Sequence, residues 1–314
     1  MSFRFRVATG AVAVAATLAI FLAASPARAF CRTTTTEDFV PSAAKPCDDG
    51  GKPIQWPSKC VGYSVQKDAS VQVDLATARR VIRQAFDTWS TAADCATCPG
   101  MGAGAPSITL VEQGTVACNK AEYNQDSGNT NVITFVDGTW PHPVGDVTLA
   151  LTTVTFSVGS GEIFDADIEV NSNPAVNKLT VDDPTGKALY DLPSILQHET
   201  GHFLGLAHTQ PTNTDATMGA RYKMGDSYMR TLAVDDVCGI CTVYPTGRSA
   251  VCEPTPHGGL VGECGGGPSQ TTSKGCHCAL VGAGPVGLGD VAIGFGSIAL
   301  VVGLERRRRT RARR

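Results

Sequence analysis

The chain has 314 residues, 42% of them hydrophobic and 18% charged, with a formal charge of −3. Such a composition excludes a disordered or collagen-like chain. Without the three Arg of the first 29 residues, the seven of the last nine, Asp290 and Glu305, 16 basic and 27 acidic residues remain. A net charge of −11 argues against a nucleic-acid partner and suits an extracellular protein able to hold calcium.

Residues 1–29 have the form of a secretory signal: Arg4 and Arg6, an apolar run from Val7 to Ala24, then Ala27-Arg28-Ala29 as a cleavage site. A mature chain is thus expected to begin at Phe30, with a polar, irregular arm over residues 30–51. Cys60 to Val65 reads as a strand, and residues 75–90 as an amphipathic helix capped by Asp74, with Val81, Ile82, Ala85, Phe86 and Trp89 on its core side. Residues 95–106, holding two Cys, three Gly and two Pro, read as a loop. Strands are expected at Ser107–Val111, Asn131–Val136, Asp146–Phe156 and Phe164–Asn171. In the last, Asp165, Asp167, Glu169 and Asn171 alternate with apolar residues, as on a solvated strand face. Asp191 can cap a helix running to about Gly205, with Pro193 tolerated in its first turn. A further helix fits Val234–Val243. One domain, residues 52–246, is large enough for a real core. Residues 247–274, rich in Gly, Pro and Ser, read as a flexible stalk.

Ten of the twelve cysteines lie between Phe30 and Gly275. An exported chain favours disulfides, although spacing does not give their pairing. Cys95-x-x-Cys98 with Cys238-x-x-Cys241 also has the form of a structural zinc site.

The sharpest signal is His198–His208, HETGHFLGLAH. Four residues apart on a helix, His198 and His202 project from one face toward one metal. Glu199 is rotated off that line and can meet a metal-bound water. Gly205 lets the chain leave the helix so that His208 returns as third ligand. Three protein ligands plus water is the open arrangement of a catalytic zinc.

This motif resembles the signature of metzincin metallopeptidases. Met218 matches the Met-turn of that clan. Tyr222, four residues later, stands where matrixins place a tyrosine in the wall of a substrate pocket. Leu232–Tyr244, Phe86 with Trp89, and Trp56–Val65 resemble the matrixin closing helix, first helix and first strand. The resemblance implies an α+β fold: a mixed, mostly parallel five-stranded sheet with three helices and a cleft under an antiparallel edge strand near Thr148–Phe156. It also implies a zinc endopeptidase acting on protein or peptide substrates, in which Glu199 is the general base. Asp165, Asp167 and Glu169 lie near where matrixins bind calcium. The sequence departs from the family at Ala220, where matrixins usually have Pro, and lacks a PRCGxPD cysteine switch. A surface adhesin that keeps the fold without turnover is the alternative.

Past Gly275 come Gly275-Cys276-His277-Cys278, an apolar run from about Ala279 to Leu304, and an Arg cluster ending at Arg314. The order resembles the tripartite C-terminal tags of myxobacterial surface proteins. It implies a sorting and processing machinery as partner, with the membrane touched only through the tail. A plain single-pass helix is the other reading, weakened by Asp290 near the middle of the run.

Overall fold

A computed structural model describes residues 30–36, 45, 47–91, 94–142, 148–210 and 215–265, together with the backbone of 276–280 and 301–302. The expected signal peptide, most of the apolar C-terminal run and the Arg cluster lie outside these residues. Among the described residues no helix is long and apolar enough to cross a membrane.

The arm begins with β1 (Cys31–Arg32), followed by β2 (Cys60–Gln66) and α1 (Leu75–Ser90). Next come β3 (Thr109–Val116), β4 (Val132–Val136), β5 (Thr148–Phe156) and β6 (Ile163–Asn171). Two short strands, β7 (Leu179–Thr180) and β8 (Tyr190–Asp191), pair with each other and lead into α2 (Leu192–Phe203). After α2 lie β9 (Leu206–Ala207), β10 (Arg221–Tyr222), α3 (Val234–Val243), β11 (Cys276–Leu280) and β12 (Val301–Val302).

The long strands form one sheet in the order β5-β6-β4-β2-β3. Four of them are parallel, and β5 alone runs antiparallel to its neighbour β6. This is the mixed, mostly parallel five-stranded α+β architecture expected from the sequence. On the far side of β5 the backbone of β11 runs antiparallel to it, and β10 lies parallel to β11. The short β12 pairs with the end of β5.

Helix α1 forms where the apolar spacing predicts it. Asp74 accepts a hydrogen bond from the Thr77 amide at 3.0 Å, and Val81, Ile82, Ala85, Phe86 and Trp89 are buried. Phe86 stacks on Tyr63 of β2 at 4.2 Å and meets Phe203 of α2 edge-on at 5.1 Å, which joins sheet and both helices.

Three expectations need correction. Strand β3 extends to Val116 rather than stopping at Val111, because its pairing with β2 continues through Gln66↔Val116. The arm is not irregular at its start: β1 pairs with β9, and Phe30 is buried beside Gly239 of α3. Nor do residues 247–265 hang free as a stalk. The Lys59 amide donates to Val251 O, the Gly62 amide to Pro254 O and the Ala117 amide to Gly262 O. Disulfides Cys60–Cys252 and Cys118–Cys264 fasten the same segment. Residues 266–274 lie outside the described residues.

The cysteines resolve as disulfides. Cys95 pairs with Cys241 and Cys98 with Cys238, joining the loop after α1 to α3, so those four thiols are not a zinc site. Cys31 pairs with Cys47.

Candidate active site

The site rests on α2. Asp191 caps the helix by accepting hydrogen bonds from the Ser194 amide at 3.1 Å and the Ser194 hydroxyl at 2.6 Å. Arg230 holds the same carboxylate, its Nε 2.8 Å from Oδ2 and its Nη2 on Oδ1. Residues Ser194 to Phe203 are all buried, so the helix is enclosed by the fold instead of lying on its surface. Orphan carbonyls at its C-terminal end find side-chain donors: Trp56 Nε1 at 2.8 Å from Phe203 O, and Tyr244 OH at 3.0 Å from Leu204 O. Gly205 then ends the helix with φ +89°, and a Cβ there would stand 2.7 Å from Ile54 O. Conformation and space both demand glycine at this bend.

The bend returns His208 to the helix face. The Nε2 atoms of His198 and His202 lie 3.0 Å apart, and each lies 3.2 Å from His208 Nε2. Among the described residues this is the one group of three or more His, Cys, Asp or Glu side chains that converge as metal ligands. Three imidazole nitrogens around a tetrahedral zinc are about 3.3 Å apart, given Zn–N bonds of about 2.0–2.1 Å. The opposite ring nitrogens are tied to backbone: His198 Nδ1 donates to Thr217 O at 2.6 Å, and His202 Nδ1 to Leu206 O at 2.8 Å. That fixes the tautomer and turns each Nε2 lone pair toward the shared point. Burial pushes the His198 pKa down to about 4, against the opposing hydrogen bond to Thr217, and so favours the neutral, metal-binding imidazole. Donor type, spacing and orientation fit one zinc ion.

Met218 is buried directly beneath α2. A Cβ at Gly201, between the two helical ligands, would lie 2.1 Å from its Sδ and 2.9 Å from the Trp89 ring. The turn that carries Met218 is held by Asp236 of α3, which accepts from the amides of Thr217 at 2.8 Å, Met218 at 3.1 Å and Ala233 at 2.8 Å. Burial raises the Asp236 pKa, partly offset by these three donors. Tyr222 is buried on β10; its hydroxyl accepts from the Asp191 amide at 3.1 Å and donates to Asp226 O. The Tyr222 hydroxyl and the cap of α2 therefore share an anchor in Asp191.

Glu199 is fully buried beside the three histidines. Thr152 of β5 donates its hydroxyl hydrogen bond to Glu199 Oε2 at 2.5 Å and lies 3.2 Å from Glu199 O. Spacing gave no sign of Thr152, because a threonine in a β-rich run reads simply as strand. Arg230 was equally hidden, since its partner Asp191 is remote in sequence.

The strand carboxylates are brought to no single point. Asp165, Asp167 and Glu169 are all buried, which overturns the solvated-face reading. At about 3.3 Å of rise per residue, Asp165 and Glu169 stand about 13 Å apart. Asp167 accepts from the amides of Val132 at 2.8 Å and Glu122 at 3.0 Å, while Glu169 lies 2.8 Å from His142 Nε2. Desolvation raises the pKa of Asp165 well above the carboxylate range, and the neighbouring Asp167 adds to this; Asp167 itself is pushed up to about 8, chiefly by burial.

The sequence profile of the matrixin family matches residues 55–245. Human neutrophil collagenase is 26% identical over 211 residues, which cover 64% of this chain and 38% of the collagenase. The chain thus spans well under half the length of this relative.

Proposed function

This chain belongs to the matrixin family of metallopeptidases, and from that premise we propose that it is an exported zinc endopeptidase. The observation that carries the proposal is the convergence of the three Nε2 atoms beside a buried glutamate. His198, His202 and His208 would hold the ion. Bound zinc supplies Lewis acidity and a water acidic enough to act near neutral pH. The Glu199 carboxylate would accept a proton from the attacking water and deliver it to the leaving amine. Buried between α2 and β5, it works in a medium that strengthens its interactions.

Protein or peptide substrates fit the outer edge of β5. An extended chain can add there by main-chain hydrogen bonds, and the backbone of Cys276–Leu280 already pairs at that edge, with Cys276 opposite Thr152. Tyr222 lines the adjoining wall. Disulfides support export. We extend the proposal to the C-terminal run as a surface-sorting tag, with Cys276 as the processing point. Mass spectrometry of the cell-surface form should lack peptides from Arg306–Arg314; their recovery would leave a simple anchor instead.

Glu199→Ala tests the central reading. At matched zinc content and melting temperature, casein cleavage should fall by at least about 10²–10⁴-fold. A mutant that cleaves at the parent rate would remove Glu199 as base. A parent chain that binds zinc but cleaves nothing would favour the adhesin alternative.

A further inference from the structure

Substrate and base both depend on β5, and on that strand Thr152 faces two ways. Its main chain lies in register with Ile168 of β6 on one side and with Cys276 on the outer edge. Its hydroxyl reaches Glu199 of α2, 2.5 Å from Oε2. Thr152 and Glu199 are 1% and 0% exposed, so water does not compete for this bond. A hydrogen bond in a desolvated setting is stronger than the same bond in water.

We propose that Thr152 is a positioning residue for Glu199. A glutamate has three side-chain torsions, and its terminal one is broad. The threonine hydroxyl fixes that torsion by engaging Oε2. Because the same residue belongs to the strand that receives an extended substrate, substrate register and carboxylate orientation are set by one piece of backbone. Threonine suits this role because its branched Cβ restricts χ1 and so aims the hydroxyl.

This inference rests on the endopeptidase reading above, and the test separates the two. In the full chain, Thr152→Val keeps shape and removes the donor. We expect kcat to fall about 10- to 100-fold, the range spanned by loss of one hydrogen bond to a charged group. KM should stay within about twofold, since ground-state binding is untouched. Thr152→Ser should recover most of kcat, and Thr152→Ala should behave like Val. A second readout needs no activity: in the zinc-free chain the Glu199 carboxylate band, isolated as the infrared difference against Glu199→Gln, should shift in Thr152→Val and return in Thr152→Ser. Unchanged kcat and an unmoved band in Thr152→Val would overturn the inference. So would equal losses in Ser and Val, or loss of zinc from Thr152→Val. A parent chain without turnover fails the endopeptidase reading, while the infrared band still decides the role of Thr152.

Discussion

Among individual residues, Asp165 carries the clearest penalty. It is buried against Asp167, and desolvation raises both pKa values, with Asp167 near 8. The sign follows from linkage. A carboxyl whose folded pKa lies above its unfolded value binds protons more tightly in the native state. The stability it lends is complete below about pH 4 and is lost as pH rises through the folded pKa. With a chelator present, the melting temperature should therefore decline between about pH 4 and 8. Asp165→Asn should flatten that decline and raise the melting temperature at pH 8 by at least about 2–4 °C, the shift that one kcal/mol produces in a domain of this size. A steeper decline in the mutant would refute the assignment. Calcium belongs to the same experiment: if Asp165 helps to hold a cation, added calcium should stabilise the parent and leave Asp165→Asn unmoved.

At the level of elements, α2 fits closely against the Met218 turn. Gly201 has no room for a Cβ, which would stand 2.1 Å from Met218 Sδ. Gly201→Ala should therefore destabilise the chain by about 1–3 kcal/mol, as overpacking does, and lower its zinc content by shifting His198 against His202. Met218→Ala in the same chain should restore part of both, a coupling that a double-mutant cycle with melting curves and metal analysis would detect. Additive losses would mean that the two residues do not press on each other. The elements themselves were readable where one face is apolar. Helix α1 and strands β2 and β4 to β6 follow their hydrophobic spacing, and α2 follows its cap and the His198–His208 motif. Strand β3 is longer than its pattern suggests, because its Glu112-Gln113-Gly114 stretch is half-exposed and breaks the alternation that parallel pairing with β2 sustains.

For the whole molecule, what was illegible is what depends on long-range contact. The three converging histidines could be read because eleven residues contain them all and a helix sets their spacing. Thr152 could not, because its partner is 47 residues away and its type is ordinary for a strand. Composition alone makes residues 247–274 a stalk. Gly and Pro do favour open chain, but Cys252 and Cys264 close on Cys60 and Cys118, separations of 192 and 146 residues that no local pattern encodes. Those crosslinks also decide how the molecule carries force. Tension applied between Phe30 and Gly265 follows the shortest covalent route: across Cys31–Cys47, along residues 47–60, across Cys60–Cys252, and along residues 252–264. Drawn taut, that route gives up about 90 Å, whereas the reduced chain would pay out about 800 Å. Every residue from 61 to 251 is off the load path, and the three histidines, Glu199 and Thr152 are among them. The covalent skeleton acts as a strap around the domain, so once the pairing of β1 with β9 has parted, a pull on its ends is borne by the strap and not by the site.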